Sequence, residues 1–355
     1  MNKFWSTMAK RTEPYIPGEQ LDKENILKLN TNENPYPPSP KVLEAIQHAV
    51  NSDLRLYPSP TVDDLRDSIA QRYHLNKENV FVGNGSDEVL AFSFMAFFEP
   101  NQQIYFPEIT YSFYPVYAKA FNIPYKKVAL HNDFTLKVES FFHSNGGVIF
   151  PNPNAPTSLY LPLEHIEAIL INNRNKVVII DEAYIDFATE SAVSLVDKYE
   201  NLLVIQTMSK SRSLAGLRVG FAIGNEALIQ GLVRMKDSFN SYPIDRLAIA
   251  GAIAAMEDET YFRKITENIV ATRAWTSNVL EKIGFHVLPS ATNFLFVSHP
   301  EVPAATIYEQ LRGNDILIRY FNADKIDNYL RITIGTDEEM KSFINEIKRI
   351  IENDK

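Results

Sequence analysis

Three short apolar runs, each handing over to a polar cluster, constrain this chain more than any other feature. Val148-Ile149-Phe150, Val177-Val178-Ile179-Ile180 and Leu202-Leu203-Val204-Ile205 are rich in β-branched residues and too short for buried helices. They read as strands covered on both faces. Asn79–Val82, Ile104–Pro107, residues 123–129 and Arg218–Ala222 fit the same reading. Helical patterns lie between them. One is opened by Ser39-Pro40, with serine as N-cap and proline at the first helical position; others open at Thr61 and near residue 162. The alternation predicts an α/β fold with a mainly parallel sheet flanked by helices. After residue 245 the pattern changes to long helical stretches over 245–282. Strands follow near Phe294–Val297, Ile316–Ile318 and Tyr329–Ile334, and Thr336 with Glu339 forms a capping box for a last helix. The expected layout is an N-terminal arm (1–30), a large domain (31–245) and a smaller α+β domain (246–355).

Composition removes several function classes. A net charge of -9 argues against nucleic acid as a partner. It leaves room for a phosphorylated substrate, because local arginines decide that. The chain has no cysteine, and its seven histidines are scattered without an H-E-x-x-H pattern, so no metal site is expected. The longest apolar stretch, Val89 to Phe98, is too short to cross a bilayer, and the first residues lack the apolar core of a signal peptide. A cytoplasmic protein is expected.

The polar clusters carry the chemistry. The first run delivers Pro151 to Thr157, with Asn154 inside; the second delivers Asp181-Glu182-Ala183-Tyr184; the third delivers Thr207 to Arg218, with Lys210 among serines and arginines. Ligands of open α/β sheets sit beyond the carboxyl ends of the strands, where these clusters fall. Serine hydroxyls and an arginine make a phosphate site. A lysine beside one can form a Schiff base with an aldehyde whose phosphate is anchored next door, which describes pyridoxal 5'-phosphate. Asp181 would keep the pyridine nitrogen protonated, and Tyr184 and Asn154 would donate to the ring oxygen. Ser209 and Arg218 are read as the phosphate clamp, with Arg212 as an alternative to Arg218. Upstream, Gly83-Asn84-Gly85-Ser86 is not a dinucleotide fingerprint, since Glu88 stands where a third glycine is needed. It reads as a glycine turn into a helix whose N-terminus faces an anion, with Ser86 as N-cap and Gly85, Ser86 and Asp87 around the phosphate. The aromatic segment Tyr111, Phe113, Tyr114, Tyr117 reads as packing.

Thr207–Gly216 closely resembles the lysine signature of the class II group of fold-type I pyridoxal-phosphate aminotransferases. Within that group the chain resembles the histidinol-phosphate aminotransferase family from end to end. The matching blocks are Leu29–Pro35, Leu56-Tyr57-Pro58, Gly83–Glu88, the Asn154, Asp181 and Lys210 clusters, and Tyr329–Gly335. The resemblance implies a ping-pong transamination in histidine biosynthesis, with Lys210 as Schiff-base lysine and proton carrier. Glutamate would leave as 2-oxoglutarate, and imidazole-acetol phosphate would leave as histidinol phosphate. It implies Tyr111 stacked on the cofactor ring, and Arg331 gripping the glutamate carboxylate in one half-reaction and the substrate phosphate in the other. Arg319, Tyr15 and Asn34 are implied near the substrate. It also implies a homodimer with shared active sites, Tyr57 reaching the phosphate of the other subunit's cofactor. Aromatic aminotransferases and phosphothreonine-type decarboxylases share the motifs. From another class, a regulator built on this fold needs an attached DNA-binding domain, for which a pattern starting near residue 30 leaves no room.

Overall fold

The structure, a computed structural model, describes residues 3–16, 18–19 and 26–353. Those parts of the expected arm that fall on residues 1–2, 17 and 20–25 lie outside the described residues.

The apolar runs form one seven-stranded sheet. Its order is Val80–Asn84, Val219–Gly224, Leu202–Thr207, Val178–Asp181, Gly147–Pro151, Ile104–Pro107 and Tyr125–Val128. Val219–Gly224 is antiparallel to both neighbours; every other pairing is parallel. The central strands are buried on both faces because alternate residues feed two cores. Val178, Ile180, Leu202 and Val204 pack with the helices Asp63–Arg72, Leu163–Ile171 and Arg246–Glu257. Ile179, Leu203 and Ile205 pack with Gly85–Phe97, Phe113–Phe121 and Glu226–Phe239. Each fully buried aliphatic side chain is worth about 1.5–3 kcal/mol. The same alternation turns Asp181 and Glu182 to opposite faces of the sheet, so two adjacent carboxylates meet different surroundings.

A second sheet, in the order Arg319–Tyr320, Leu330–Thr333, Phe294–Ser298, His286–Val287, is antiparallel throughout. It shares a core with the helix Asp337–Asn353, whose buried stripe is Met340, Phe343, Ile344, Ile347, Ile350 and Ile351. The capping box is present: Thr336 N–H donates to Glu339 Oε2 (2.7 Å) and Glu339 N–H to Thr336 Oγ1 (3.3 Å). Leu27–Lys28 pairs in parallel with Ile316–Leu317, so the chain just before residue 30 belongs to this second body.

Two local expectations need correction, and the domain boundary invites a proposal. The helix expected from Thr61 begins at Asp63; Val62 takes a left-handed conformation (φ 45°), and its N–H donates to Ser59 Oγ. Ser86 is not an N-cap: the helix starts at Gly85 with Asn84 as N-cap residue, which leaves the Ser86 hydroxyl in the first turn. The helix Arg246–Glu257 packs into the first core through Ala248, Ala252 and Met256. We therefore propose a domain division near Asp258 rather than at 245/246.

Candidate active site

Pro151, Asp181 and Thr207, the last residues of three adjacent strands, border one cavity of about 390 Å³. Ser86 and Asp87, Tyr111, Tyr184, Ser209, Lys210, Arg218, Arg319, Arg331 and Tyr15 also border it. Chain segments more than 300 residues apart are thus brought together by the ends of the sheet and the edge of the second body.

Lys210 sits in the loop after Leu202–Thr207, pinned by Asn34, whose side-chain amide donates to the carbonyls of Lys210 (2.9 Å) and Ser211 (3.2 Å). Asn34 does not itself border the cavity. Lys210 Nζ donates to the Thr31 carbonyl (3.2 Å) and lies 5.8 Å from the centre of the Tyr184 ring. The Tyr184 hydroxyl accepts from Asn32 Nδ2 (2.8 Å), and its ring packs edge-on against Phe294.

Asp181 is the most unusual group here. It is buried, its Oδ2 accepts from the Tyr114 hydroxyl (2.9 Å), and its Oδ1 accepts from the Ala183 N–H (3.3 Å). Among the described residues no cation pairs with it. Burial raises its pKa to about 6, more than the bonds from Tyr114 and Ala183 hold it down; the charge of Asp87 adds to the rise. A carboxylate in this position is costly without a positive partner.

At the other end, Ser86, Thr207, Ser209 and Arg218 converge. The Thr207 and Ser209 hydroxyls are 2.9 Å apart, and Arg218 Nη2 is 3.4 Å from Asp87 Oδ2. Glycine makes the approach possible. A Cβ on Gly220 would lie 2.2 Å from the Ser86 backbone nitrogen, and one on Gly85 (φ +77°) 2.4 Å from Arg218 Nη2. Gly220→Ala is expected to push the strand off the helix N-terminus, costing about 1–3 kcal/mol as overpacking does. Its affinity for pyridoxal phosphate should drop with its thermal midpoint, measured with and without the cofactor.

The second body contributes the cationic wall. Arg331 and Arg319 are register partners across two antiparallel strands, so like charges face each other, a destabilising arrangement that an anion would relieve. Arg331 Nη2 donates to the Asn30 carbonyl (3.0 Å); its buried Nε has no partner among the described residues, and its guanidinium lies near the rings of Phe294 (5.3 Å) and Phe321 (5.6 Å). Tyr15 stacks on Phe113 (4.4 Å).

The two candidate arginines differ in position. Arg218 borders the cavity, whereas Arg212 is buried behind the loop with Nη1 donating to the Ala255 carbonyl. Asn154 lies beside the cavity, next to Ala155 and Pro156, which border it. Its side-chain nitrogen donates to the Ile109 carbonyl and Thr157 Oγ1, its Oδ1 is buried without a partner, and it does not border the cavity. Gly85 stands behind Arg218 and likewise does not line it. Tyr57 is 78% exposed, stacked on Tyr242 away from this chain's own cavity. Sequence reasoning missed Tyr114, read as packing but bonded to Asp181, and the Asn32–Tyr184 bond.

The donor set suits pyridoxal phosphate: hydroxyls and an arginine for a phosphate, a lysine amine, and a buried carboxylate with no cationic protein partner for a ring nitrogen. Among the described residues no group of three or more histidine, aspartate or glutamate side chains is placed to hold a metal, and no helix is long and apolar enough to cross a membrane.

Fold and site define a pyridoxal-phosphate transferase, and the chain belongs to the aminotransferase class I and II family, whose model matches residues 24–347. Within it, the chain groups with the histidinol-phosphate aminotransferases. It is 60% identical to histidinol-phosphate aminotransferase 1 of Oceanobacillus iheyensis and 56% identical to histidinol-phosphate aminotransferase of Clostridium botulinum, in each case over 351 residues and 99% of both chains. Among solved structures it resembles histidinol-phosphate aminotransferase of Sinorhizobium meliloti in complex with pyridoxal-5'-phosphate (TM-score 0.89, 24% identity, 99% of both chains). It also resembles the Clostridium acetobutylicum enzyme (TM-score 0.84, 25% identity, 92% of this chain and 100% of that one).

Proposed function

We propose that this chain transfers an amino group between glutamate and imidazole-acetol phosphate, giving 2-oxoglutarate and histidinol phosphate, with pyridoxal phosphate as cofactor. One observation carries the reading. A buried, cation-less Asp181 and a lysine amine face one cavity whose opposite wall is two arginines held side by side. Membership among the histidinol-phosphate aminotransferases supports it.

Bound pyridoxal phosphate supplies a carbonyl carbon that primary amines attack and a ring that draws electrons from the substrate's amino-bearing carbon. The protein's own work is positioning and proton transfer. Ser86, Ser209 and Arg218 bind the phosphate, helped by the free N–H groups at the start of Gly85–Phe97. Asp181, fixed by Tyr114, holds a proton on the ring nitrogen. Tyr111, oriented by its hydroxyl's bond to Asp87 Oδ1 (2.8 Å), flanks the ring. Tyr184 donates to the ring oxygen. Lys210 Nζ takes the proton from the substrate's amino-bearing carbon and returns it. Arg331, with Arg319 beside it, binds the glutamate carboxylate in one half-reaction and the phosphate of histidinol phosphate in the other; Tyr15 closes over that end. Asn34 acts through the Lys210 loop rather than on substrate.

The exposed Leu54, Leu56, Tyr57 and Tyr242 form an apolar patch suited to a second copy of the chain. A homodimer there would bring Tyr57 to the partner's phosphate site. The working place of such a biosynthetic enzyme is the cytoplasm.

The test is rapid mixing of the cofactor-loaded protein with histidinol phosphate and, separately, phenylalanine, followed by the cofactor's visible absorbance. Fast loss with histidinol phosphate and slow loss with phenylalanine is expected. Fast loss with phenylalanine alone would move the chain to aromatic substrates.

A further inference from the structure

Lys210, Ser211 and Arg212 are consecutive, yet only the first faces the cavity. The other two turn away from it, toward a partly buried set of charges behind the loop. The Ser211 hydroxyl donates to Asp186 Oδ2. Arg72 Nη2 lies 3.9 Å from Asp186 Oδ1, and Arg72 Nη1 pairs with Glu259 Oε2. Arg212 Nη2 lies 4.0 Å from that same Glu259 oxygen and has no hydrogen-bond partner among the described residues, while Nη1 donates to the Ala255 carbonyl. Both guanidiniums lie over the Phe262 ring, Arg72 at 4.7 Å and Arg212 at 4.1 Å.

The placement of these groups is specific. Asp186 follows Tyr184 by two residues, and Ser211 follows Lys210 by one, so the Ser211–Asp186 bond ties together the segments that supply the two groups. Glu259 and Phe262 lie in the first turn of Glu259–Lys282, the 24-residue helix that carries the chain into the second body. A buried arginine with an unsatisfied nitrogen is a poor stabiliser, and a hydrophobic residue of similar volume commonly does as well or better. What the arginine adds is direction: a planar cation held by a ring on one side, a carbonyl on another and a carboxylate on a third fixes one orientation of its loop.

We infer that Arg212 is a positioning residue: through Glu259, Arg72 and Asp186 it sets the Lys210 loop against Tyr184 and against the helix leading to the arginine-bearing body. The inference rests on Lys210 being the reactive lysine.

Arg212→Met tests it, because methionine fills the space without the charge. Its thermal midpoint should match or exceed that of the parent, since the buried charge is gone. Its kcat should nevertheless fall about 10- to 100-fold, the penalty of a misplaced reacting group, with KM moved less than about 2-fold. Ser211→Ala, which cuts the chain of contacts elsewhere and leaves Arg212 seated, should show the same split. In both cofactor-loaded variants, amide hydrogen exchange should quicken over residues 184–188 and 208–214. Parent-level kcat in Ser211→Ala together with exchange changes confined to 255–263 in Arg212→Met would overturn the inference. Should Arg212→Met not fold, Ser211→Ala decides by its kcat and its exchange over the two segments. Lys210→Ala, assayed alongside, separates the two levels: turnover retained there refutes the reading of the lysine itself.

Discussion

Lys210→Ala protein folds but does not turn over. The structural cost of the change is small. Lys210 Nζ makes one hydrogen bond, to the Thr31 carbonyl, and the loop backbone is held independently by Asn34. The chemical cost is large, because among the described residues no other amine borders the cavity: the remaining cations there are Arg218, Arg319 and Arg331, which cannot release a proton near neutral pH. Loss of a positioned general base or acid alone is worth about 10²–10⁴-fold, and the covalent attachment of the cofactor is lost with it. Two measurements check this. Steady-state transamination should drop at least by that factor, while the thermal midpoint of the cofactor-free variant stays with the parent. Turnover near the parent level would dismiss the assignment of Lys210.

Local features were legible in the sequence, and contacts between distant segments were not. Val178–Asp181 and Leu202–Thr207 could be placed because a strand buried on both faces needs an uninterrupted apolar run, and a run can be read without knowing its neighbours. The Thr336–Glu339 capping box could be placed because both partners lie within one turn. Arg212 and Arg218 could not be ranked. They differ by where the chain points after Ser211, which is decided by Glu259, Phe262 and the left-handed turn at Arg218 (φ 54°). Asn154 and Asn34 are similar cases: each lies beside the site, but its amide is already engaged, by Ile109 and Thr157 in one case and by the Lys210 loop in the other. Tyr114 looked like one aromatic among four, and only the fold puts its hydroxyl on Asp181.

That bond leads to the second large effect. Asp181→Asn should lower activity and raise the stability of the cofactor-free protein, two changes of opposite sign from one substitution. Burial lifts the Asp181 pKa to about 6 from an ordinary 3.8. Between those values the folded chain keeps a proton that the unfolded chain has released, so stability falls as pH rises through the window and is lowest above it. A displacement of roughly two pH units corresponds to about 3 kcal/mol. Asparagine cannot ionise and escapes that loss. Its oxygen can still accept from Tyr114, but its amide leaves the Ala183 N–H facing a donor, which costs about 1 kcal/mol. A net gain of about 1–2 kcal/mol is therefore expected above pH 6, shrinking to nothing or reversing below pH 4. Glu182, lifted by burial to about 7 on the other face of the sheet, is present in both proteins and cancels in the comparison. On the proposed reading, bound pyridoxal phosphate would supply through its ring nitrogen the cation Asp181 lacks, and the penalty would turn into an attraction. The variant loses that attraction, so cofactor binding should raise its thermal midpoint less than it raises the parent's. Turnover should fall by about 10²–10³-fold, the size of effect seen when one preorganised electrostatic partner of a developing charge is removed. Thermal midpoints against pH, with and without cofactor, read the first effect, and kcat reads the second. A cofactor-free variant less stable than the parent at pH 8 would mean that Asp181 has a cationic partner in the folded chain, and an undiminished kcat would mean that its charge does not reach the ring.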